Sequence, residues 1–272
     1  MQHQIIETLQ VKPVIEPKEE IRNRVEFLKG YLQSSGMSGY ILGISGGQDS
    51  LLTGLLIQQA ISELNEEAGE ARYCFYAARL PYGTQKDEAD AQEALSFIDP
   101  DRQITLNIKP AVDAAMTSFK DATGEEMSDF VKGNTKARER MKAQYDLGAH
   151  YRCLIAGTDH AAEAVTGFYT KFGDGACDVA PLFGLTKGQG RELLEVFGAP
   201  SLFYTKAPTA DLEDDKPQLP DEEALGITYR ELDTYLTGGT IDEKAKAHLE
   251  TIYVQTTHKR ELPVTPFDSW WK

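Results

Sequence analysis

Six residues, Ser45-Gly46-Gly47-Gln48-Asp49-Ser50, constrain this chain more than any other stretch. They follow Gly39-Tyr40-Ile41-Leu42-Gly43-Ile44, a short apolar run that reads as a buried strand. They precede Leu51-Leu52-Thr53-Gly54-Leu55-Leu56-Ile57, apolar on enough sides to form a buried helix. Strand, Gly- and hydroxyl-rich turn, then helix N-terminus is an arrangement that gathers unpaired backbone N–H groups around an anion. The plainer alternative is an ordinary βα turn with Asp49 or Ser50 capping the helix. A Walker-type loop needs a Lys before the helix, and none occurs between Tyr40 and Ser62. The loop offers two hydroxyls, backbone amides and the Asp49 carboxylate instead. A carboxylate in an anion site repels the ligand unless a divalent cation lies between them.

The rest of the chain repeats the strand-then-helix alternation. Ile21, Val25, Leu28 and Leu32 recur at helical spacing ahead of the first strand. Residues 73–80 read as a second strand, about 86–97 as a polar helix, 104–108 as a third strand, about 135–145 as a helix, and 153–157 as a fourth strand ending at Thr158. Strands separated by helices predict an α/β fold, a parallel sheet with helices on both faces. Ligands gather at the carboxyl ends of such strands, where Ser45, Pro81 and Thr158 converge. Residues 159–184 have no clear period, and a stretch that long inside a compact domain is usually functional. Residues 206–226, rich in Pro and acidic residues, read as a mobile surface loop, either a lid or plain disorder. Beyond it, Tyr229/Leu232/Leu236 and Ala245/Leu249/Ile252 mark two amphipathic helices within 228–272. No internal repeat is visible, and the expectation is a single domain over 1–272.

Composition excludes several classes. With 28 basic and 43 acidic residues in 272, the formal charge of −15 argues against a nucleic-acid-binding surface. Cys74, Cys153 and Cys177 are odd in number, and no CxxC pair exists for a zinc knuckle or persulfide relay. No leader-like N-terminus and no run of 18 apolar residues is present, so a cytoplasmic protein without a membrane span is expected.

The loop at 45–50 resembles the signature of the N-type ATP pyrophosphatases, which cleave ATP between the α- and β-phosphates. Within that superfamily, the stretch from Gly157-Thr158-Asp159-His160 through Glu163, Lys171 and Gly173-Asp174-Gly175 is similar to the NAD synthetase family. The likeness continues through Pro181-Leu182-Phe183-Gly184-Leu185-Thr186-Lys187 and Pro208-Thr209-Ala210-Asp211-Leu212 to His258-Lys259-Arg260, and its order fits the ammonia-dependent form. The resemblance implies a Rossmann-like sheet of the adenine nucleotide alpha hydrolase-like kind. It also implies ATP- and Mg2+-dependent amidation of deamido-NAD+ with ammonia, through an acyl-adenylate, with release of AMP and pyrophosphate. A homodimer with the dinucleotide site near the subunit interface goes with it.

Carried over by position, Gly43, Ile44, Ser45, Gly46, Gly47, Gln48, Asp49 and Ser50 form the ATP loop. Thr158, Lys187 and Thr209 are further ATP contacts, and Asp49 and Glu163 are the metal carboxylates. Arg79, at the end of the second strand, is a candidate adenine or phosphate contact. Arg138, Lys171, Asp178, His258 and Lys259 fall to the dinucleotide. Each has a plainer reading: Arg138 lies on a charged helix face, Glu163 suits a helix's first turn, and Lys187 follows a probable cap at Thr186. Asp174, in a Gly-Asp-Gly turn, is either a turn former or the carboxylate that attracts ammonium and removes its proton. Superfamily members with a glutaminase module need a reactive cysteine that this chain does not offer. A regulatory nucleotide binder of the same fold is expected to have lost Asp49, Glu163 or Lys187, and all three are present.

Overall fold

Along the central strand, alternate side chains leave for opposite faces, and each face is met by helices. Residues 1–83, 88–206, 208–210 and 219–271 are described by a computed structural model. The first half runs α1 (Gln2–Thr8), α2 (Pro17–Ser35), β1 (Gly39–Gly43), α3 (Gln48–Ala68), β2 (Cys74–Arg79), α4 (Glu88–Ile98), β3 (Arg102–Thr105), α5 (Lys109–Thr123) and α6 (Asp129–Tyr151). The second half runs β4 (Leu154–Ile155), α7 (Ala161–Thr166), α8 (Lys187–Val196), α9 (Leu202–Thr205), β5 (Thr209–Ala210), β6 (Leu219–Pro220), α10 (Asp221–Leu225), α11 (Tyr229–Leu236), α12 (Glu243–Gln255) and α13 (Thr257–Arg260).

Four strands pair in parallel in the order β3-β2-β1-β4. Tyr40 and Leu42 of β1, Phe75 and Ala77 of β2 and Leu154 of β4 enter one core with α2 and α3. Ile41, Ala78 and Ile155, each one residue along, enter a second core with α5 and α6. This is the period-two signature of a sheet covered on both faces. A third cluster joins Ile5 of α1 and Leu9 just after it, Val165 of α7, Leu232 and Leu236 of α11, and Leu249 of α12. No helix among the described residues is long and apolar enough to cross a membrane.

The residues of α2 show why it forms. Ile21, Val25, Leu28 and Leu32 are all buried on one stripe. Glu16 caps the start by accepting from the Glu19 amide at 2.8 Å, Pro17 opens the first turn, and Gly36, at φ 66°, ends the helix.

Several expectations are corrected. The third strand lies at Arg102–Thr105, not 104–108, because it is an edge strand whose exposed residues carry no apolar alternation. The extended path does continue: the Leu106 and Ile108 amides bond the Arg79 and Pro81 carbonyls at 2.9 Å before Lys109 starts α5. The fourth strand shrinks to Leu154–Ile155, because Ala156 turns to bridge Val179 and the Gly157 amide bonds the Val179 carbonyl. Helices α1 and α5 had no counterpart in the sequence reading, and α6 outruns its expected 135–145 at both ends. Within 206–226, residues 207 and 211–218 lie outside the described residues. The rest pairs β5 with β6 antiparallel and continues into α10, which ends on Gly226 at φ 66°. Lys86, in the expected polar helix, also lies outside them.

A partly exposed ion cluster staples α2 to α3. Arg22 donates to both oxygens of Glu63 at 2.7 and 2.8 Å, and the buried Lys29 ammonium reaches Glu63 at 3.1 Å and Glu67 at 2.6 Å. The Arg22 hydrogen bonds, helped by Gln59 and Lys29, hold the Glu63 carboxyl down at about 2. A carboxyl depressed in the folded state stabilises the fold above its unfolded value, about 4.3, and loses that contribution as pH falls towards the folded value. Glu63→Gln is therefore expected to lower unfolding free energy by about 1 kcal/mol at neutral pH. The gap should close progressively as pH drops from about 4.5 to about 2. Urea titrations of both proteins across that range measure it, and a gap independent of pH removes the ion cluster as its cause.

Candidate active site

The turn after β1 is shaped by its own hydroxyls. Ser45 and Ser50 lie Oγ to Oγ at 3.0 Å, the Gly47 amide donates to Ser45 Oγ at 3.2 Å, and the Ser50 hydroxyl donates to the Gly47 carbonyl. Gly46 has φ +87°, and a Cβ there would stand 2.7 Å from the Ala91 amide nitrogen of α4, so only glycine lets the loop lie against that helix. The N-cap of α3 is Gly47, which has no side chain to bond the first-turn amides. That overturns the alternative in which Asp49 or Ser50 caps the helix. Asp49 lies inside the first turn, and the helix end presents its N–H groups to the cavity.

Two other helix starts face this one. His160 caps α7, which carries Glu163 in its first turn. Thr186 caps α8 through a reciprocal box with Gln189, making Lys187 the first helical residue. The Ala161 amide bonds the Leu185 carbonyl at 2.8 Å and links the two segments. Lys187 is fixed from several directions. Its Nζ meets Asp49 Oδ2 at 2.7 Å and stands 5.1 Å from the Tyr229 ring centre. Its carbonyl accepts from Gln48 Nε2 at 2.9 Å. The Asp233 carboxylate accepts from the Lys187 and Gly188 amides at 3.1 and 2.7 Å, crowning the N-terminus of α8.

These groups line a cavity of about 550 Å³ at the carboxyl edge of the sheet. Every residue from Gly43 to Ser50 borders it, with Arg79, Thr158, Glu163, Asp174, Lys187 and Lys259. Leu80, not Pro81, is the wall contributed after β2. Its wall mixes carboxylates (Asp49, Asp90, Glu163, Asp174 and Asp221) with cations (Arg79, Arg140, Lys187, Lys206 and Lys259). Burial works against ionising Asp49, but the Lys187 ammonium overrides it and holds the carboxyl below its ordinary value. Burial works against the charge on Lys187 too, and Asp49 and Glu163 outweigh it. Glu163 is pushed well up by burial and by the charges of Asp49 and Asp159. Asp159 is pushed up to about 7 by burial and then by Asp174 and Asp49. Asp174 opens on the cavity, where solvent reaches it, while protein crowds its other sides and raises its carboxyl. His160, 2% exposed, is driven down to about 4 by burial and is a neutral imidazole.

The mutual repulsion of Asp49 and Glu163 is what a divalent cation between them relieves. Asp49, His160 and Glu163 each offer one donor atom, all within 4.8 Å of one another. Glu163 Oε2 and both His160 ring nitrogens are buried without a hydrogen-bond partner. The donor set therefore fits a cation.

The remaining candidates separate. Arg79 is a buried strut: its guanidinium donates to the Ile44 carbonyl at 2.6 Å and to Glu88 at 2.7 Å. Lys259 joins the cavity, its Nζ donating to the Gly167 and Tyr169 carbonyls at 2.7 Å. Lys171 donates to the His258 carbonyl beyond the cavity wall, and the His258 side chain is exposed on α13. Arg138 is exposed on α6, and Asp178 accepts from the Ile155 amide at 2.7 Å beside β4. None of Arg138, Lys171, Asp178 and His258 borders the cavity. Thr209 lies in β5, and only its backbone is described. His160, Asp159, Tyr229 and Asp233 were not among the sequence candidates. Asp159 and His160 stand inside the motif that carries the resemblance, and Tyr229 and Asp233, one helical turn apart on α11, share a helix face.

A parallel sheet with a lysine-free anion loop and an acidic, cation-competent cluster at its carboxyl edge defines a nucleotide-binding α/β protein. Comparisons narrow the class: residues 20–263 match the family model described as NAD synthase, and the chain belongs to that family. The NH(3)-dependent NAD(+) synthetase of Halalkalibacterium halodurans is 67% identical over 272 residues, covering both chains in full. The solved NAD+ synthetase of Burkholderia pseudomallei is similar with a TM-score of 0.83 and 42% identity over 96% of each chain. NMN synthetase from Francisella tularensis follows at 0.82 and 31% identity, over 94% of this chain and all of that one.

If Asp233 holds the α8 N-terminus, Asp233→Ala is expected to lower unfolding free energy by about 1–2 kcal/mol, from two lost charge-assisted bonds. Chemical denaturation at neutral pH measures this. An unchanged midpoint contradicts the assignment.

Proposed function

We propose that the chain catalyses ATP-dependent amidation of deamido-NAD+ to NAD+ with ammonia, through an acyl-adenylate, releasing AMP and pyrophosphate. The observation that carries the reading is the meeting of the α3 N-terminus, Lys187 and the Asp49/Glu163 carboxylates in one cavity of a family member. Loop 43–50 receives the β- and γ-phosphates on its amides and hydroxyls, and Lys187 stabilises the charge that gathers as the α–β bond breaks. Asp49 and Glu163 would hold Mg2+, whose chemistry is to neutralise phosphate charge. The nicotinate carboxylate oxygen attacks the α-phosphorus, and the bond to the β-phosphate oxygen breaks, expelling pyrophosphate. Ammonia nitrogen then attacks the acyl carbon, and the carbon–oxygen bond to AMP breaks.

Asp174 suits the second step, being a carboxylate facing the cavity with a raised affinity for a proton. It attracts ammonium and takes its proton, while its Oδ1 accepts from the Thr170 amide at 3.0 Å. A cavity of about 550 Å³ suits one nucleotide. The far half of the dinucleotide then extends outside it, where Arg138, Lys171, Asp178 and His258 are exterior candidates. Exposed Leu262, Val264 and Phe267 near the C-terminus, with Phe130 on α6, supply apolar surface for a homodimer. The free Cys74, Cys153 and Cys177 suit a reducing, cytoplasmic setting.

Pyrophosphate release should depend on both deamido-NAD+ and ammonium, with Mg2+ present. Release with ATP alone, or none under any condition, overturns the reading, and faster turnover of the nicotinate mononucleotide replaces the substrate. Lys187→Met should lower kcat by about 100-fold or more. Asp174→Asn should raise the ammonium concentration needed for half-maximal rate and shift the pH profile. An unchanged profile removes Asp174 from the chemistry. Sedimentation at micromolar concentration should show a dimer.

A further inference from the structure

Asp49 divides its two oxygens between different partners. Oδ2 faces the Lys187 ammonium at 2.7 Å, while Oδ1 faces His160 Nε2 at 3.6 Å. The same imidazole nitrogen lies 3.8 Å from Glu163 Oε2. Both separations are too long for hydrogen bonds. They do gather one donor atom from each of Asp49, His160 and Glu163 within 4.8 Å of one another, close enough for a common ion to draw them in. The imidazole is 2% exposed, and neither ring nitrogen has a partner. Burying an unpaired polar group costs about 1–3 kcal/mol, so an idle histidine here would be a standing penalty. Other groups nearby do not use it: the Tyr229 ring lies 6.4 Å away at a tilt, and Lys187 occupies the far oxygen of Asp49. His160 and Glu163 are also delivered together, three residues apart at the start of α7.

We propose that His160 is the third protein ligand of the cation held by Asp49 and Glu163, which makes the centre a mixed nitrogen–oxygen site that takes Mn2+ or Co2+ more tightly than Mg2+. This rests on the reading of the cavity as an ATP and cation site. All-oxygen sets suit Mg2+, whereas an imidazole shifts preference towards first-row transition ions. His160 then also orients the Asp49 carboxylate, since ligation of Oδ1 leaves Oδ2 for Lys187.

The test is pulsed electron paramagnetic resonance of the full chain loaded with Mn2+ and a non-hydrolysable ATP analogue, with natural and with isotopically labelled histidine. A directly bound nitrogen that changes with the histidine label is expected, and the labelling separates it from adenine nitrogens. His160→Phe should lose the coupling and bind Mn2+ about tenfold or more weakly, by titration of free Mn2+. Absence of bound Mn2+, absence of histidine coupling in the wild type, or Mn2+ affinity within twofold in a folded His160→Phe overturns the proposal. The wild-type spectrum decides even if the variant does not fold. The outcomes stay separable from the functional reading: Mg2+-dependent pyrophosphate release without histidine coupling sinks only this proposal. Histidine coupling without release under any metal sinks only the reaction.

Discussion

The contact between Lys187 and Asp49 is where the structure's separate parts meet. It joins the first turn of α8 to the first turn of α3, two helix N-termini whose exposed amides both favour an anion. Placing two such ends side by side concentrates positive potential, and adding Asp49 and Glu163 reverses it locally. The result is a site with steep changes of sign over a few ångströms. A polyphosphate with its cation matches that pattern, and a bare anion or a bare cation does not.

Holding that pattern requires rigidity from outside the sheet. The apolar cluster of α1, α7, α11 and α12 supplies it, since α7 carries His160 and Glu163 while α11 carries Tyr229 and Asp233. Helix α11 thus packs its apolar face and aims its polar face at Lys187. The sheet supplies β1 and the loop. The C-terminal helices hold the groups that answer it.

Where burial was strong and periodic, the sequence was readable. Ile21, Val25, Leu28 and Leu32 announced α2, and the run over residues 39–44 announced β1, because one element buries a full stripe and the other nearly a full strand. Edge strand β3 was displaced by two residues because Arg102 and Gln103 face solvent and break the alternation. Helix α5 went unseen because Val112 is its only fully buried residue. At the site, Asp49, Glu163 and Lys187 came from motif resemblance and do converge. His160 and Asp159 stayed unassigned although they stand in the same motif, because their roles depend on neighbours from α3 and from residue 174. Arg79 was read as a ligand contact and does border the cavity, where its guanidinium also braces Ile44 and Glu88. A sequence names such residues but not their partners.

The bonds around Lys187 also say when the site can come into being. Its ammonium partner lies 138 positions earlier, and the carboxylate on its amide 46 positions later. Contacts of that separation form late, after the loops between them close. During synthesis the phosphate loop and most of the sheet emerge first, but Lys187 has no Tyr229 or Asp233 until α11 has left the ribosome. A nascent chain therefore carries the nucleotide-gripping turn before it carries a settled lysine. Competence arrives with the last quarter of the polypeptide.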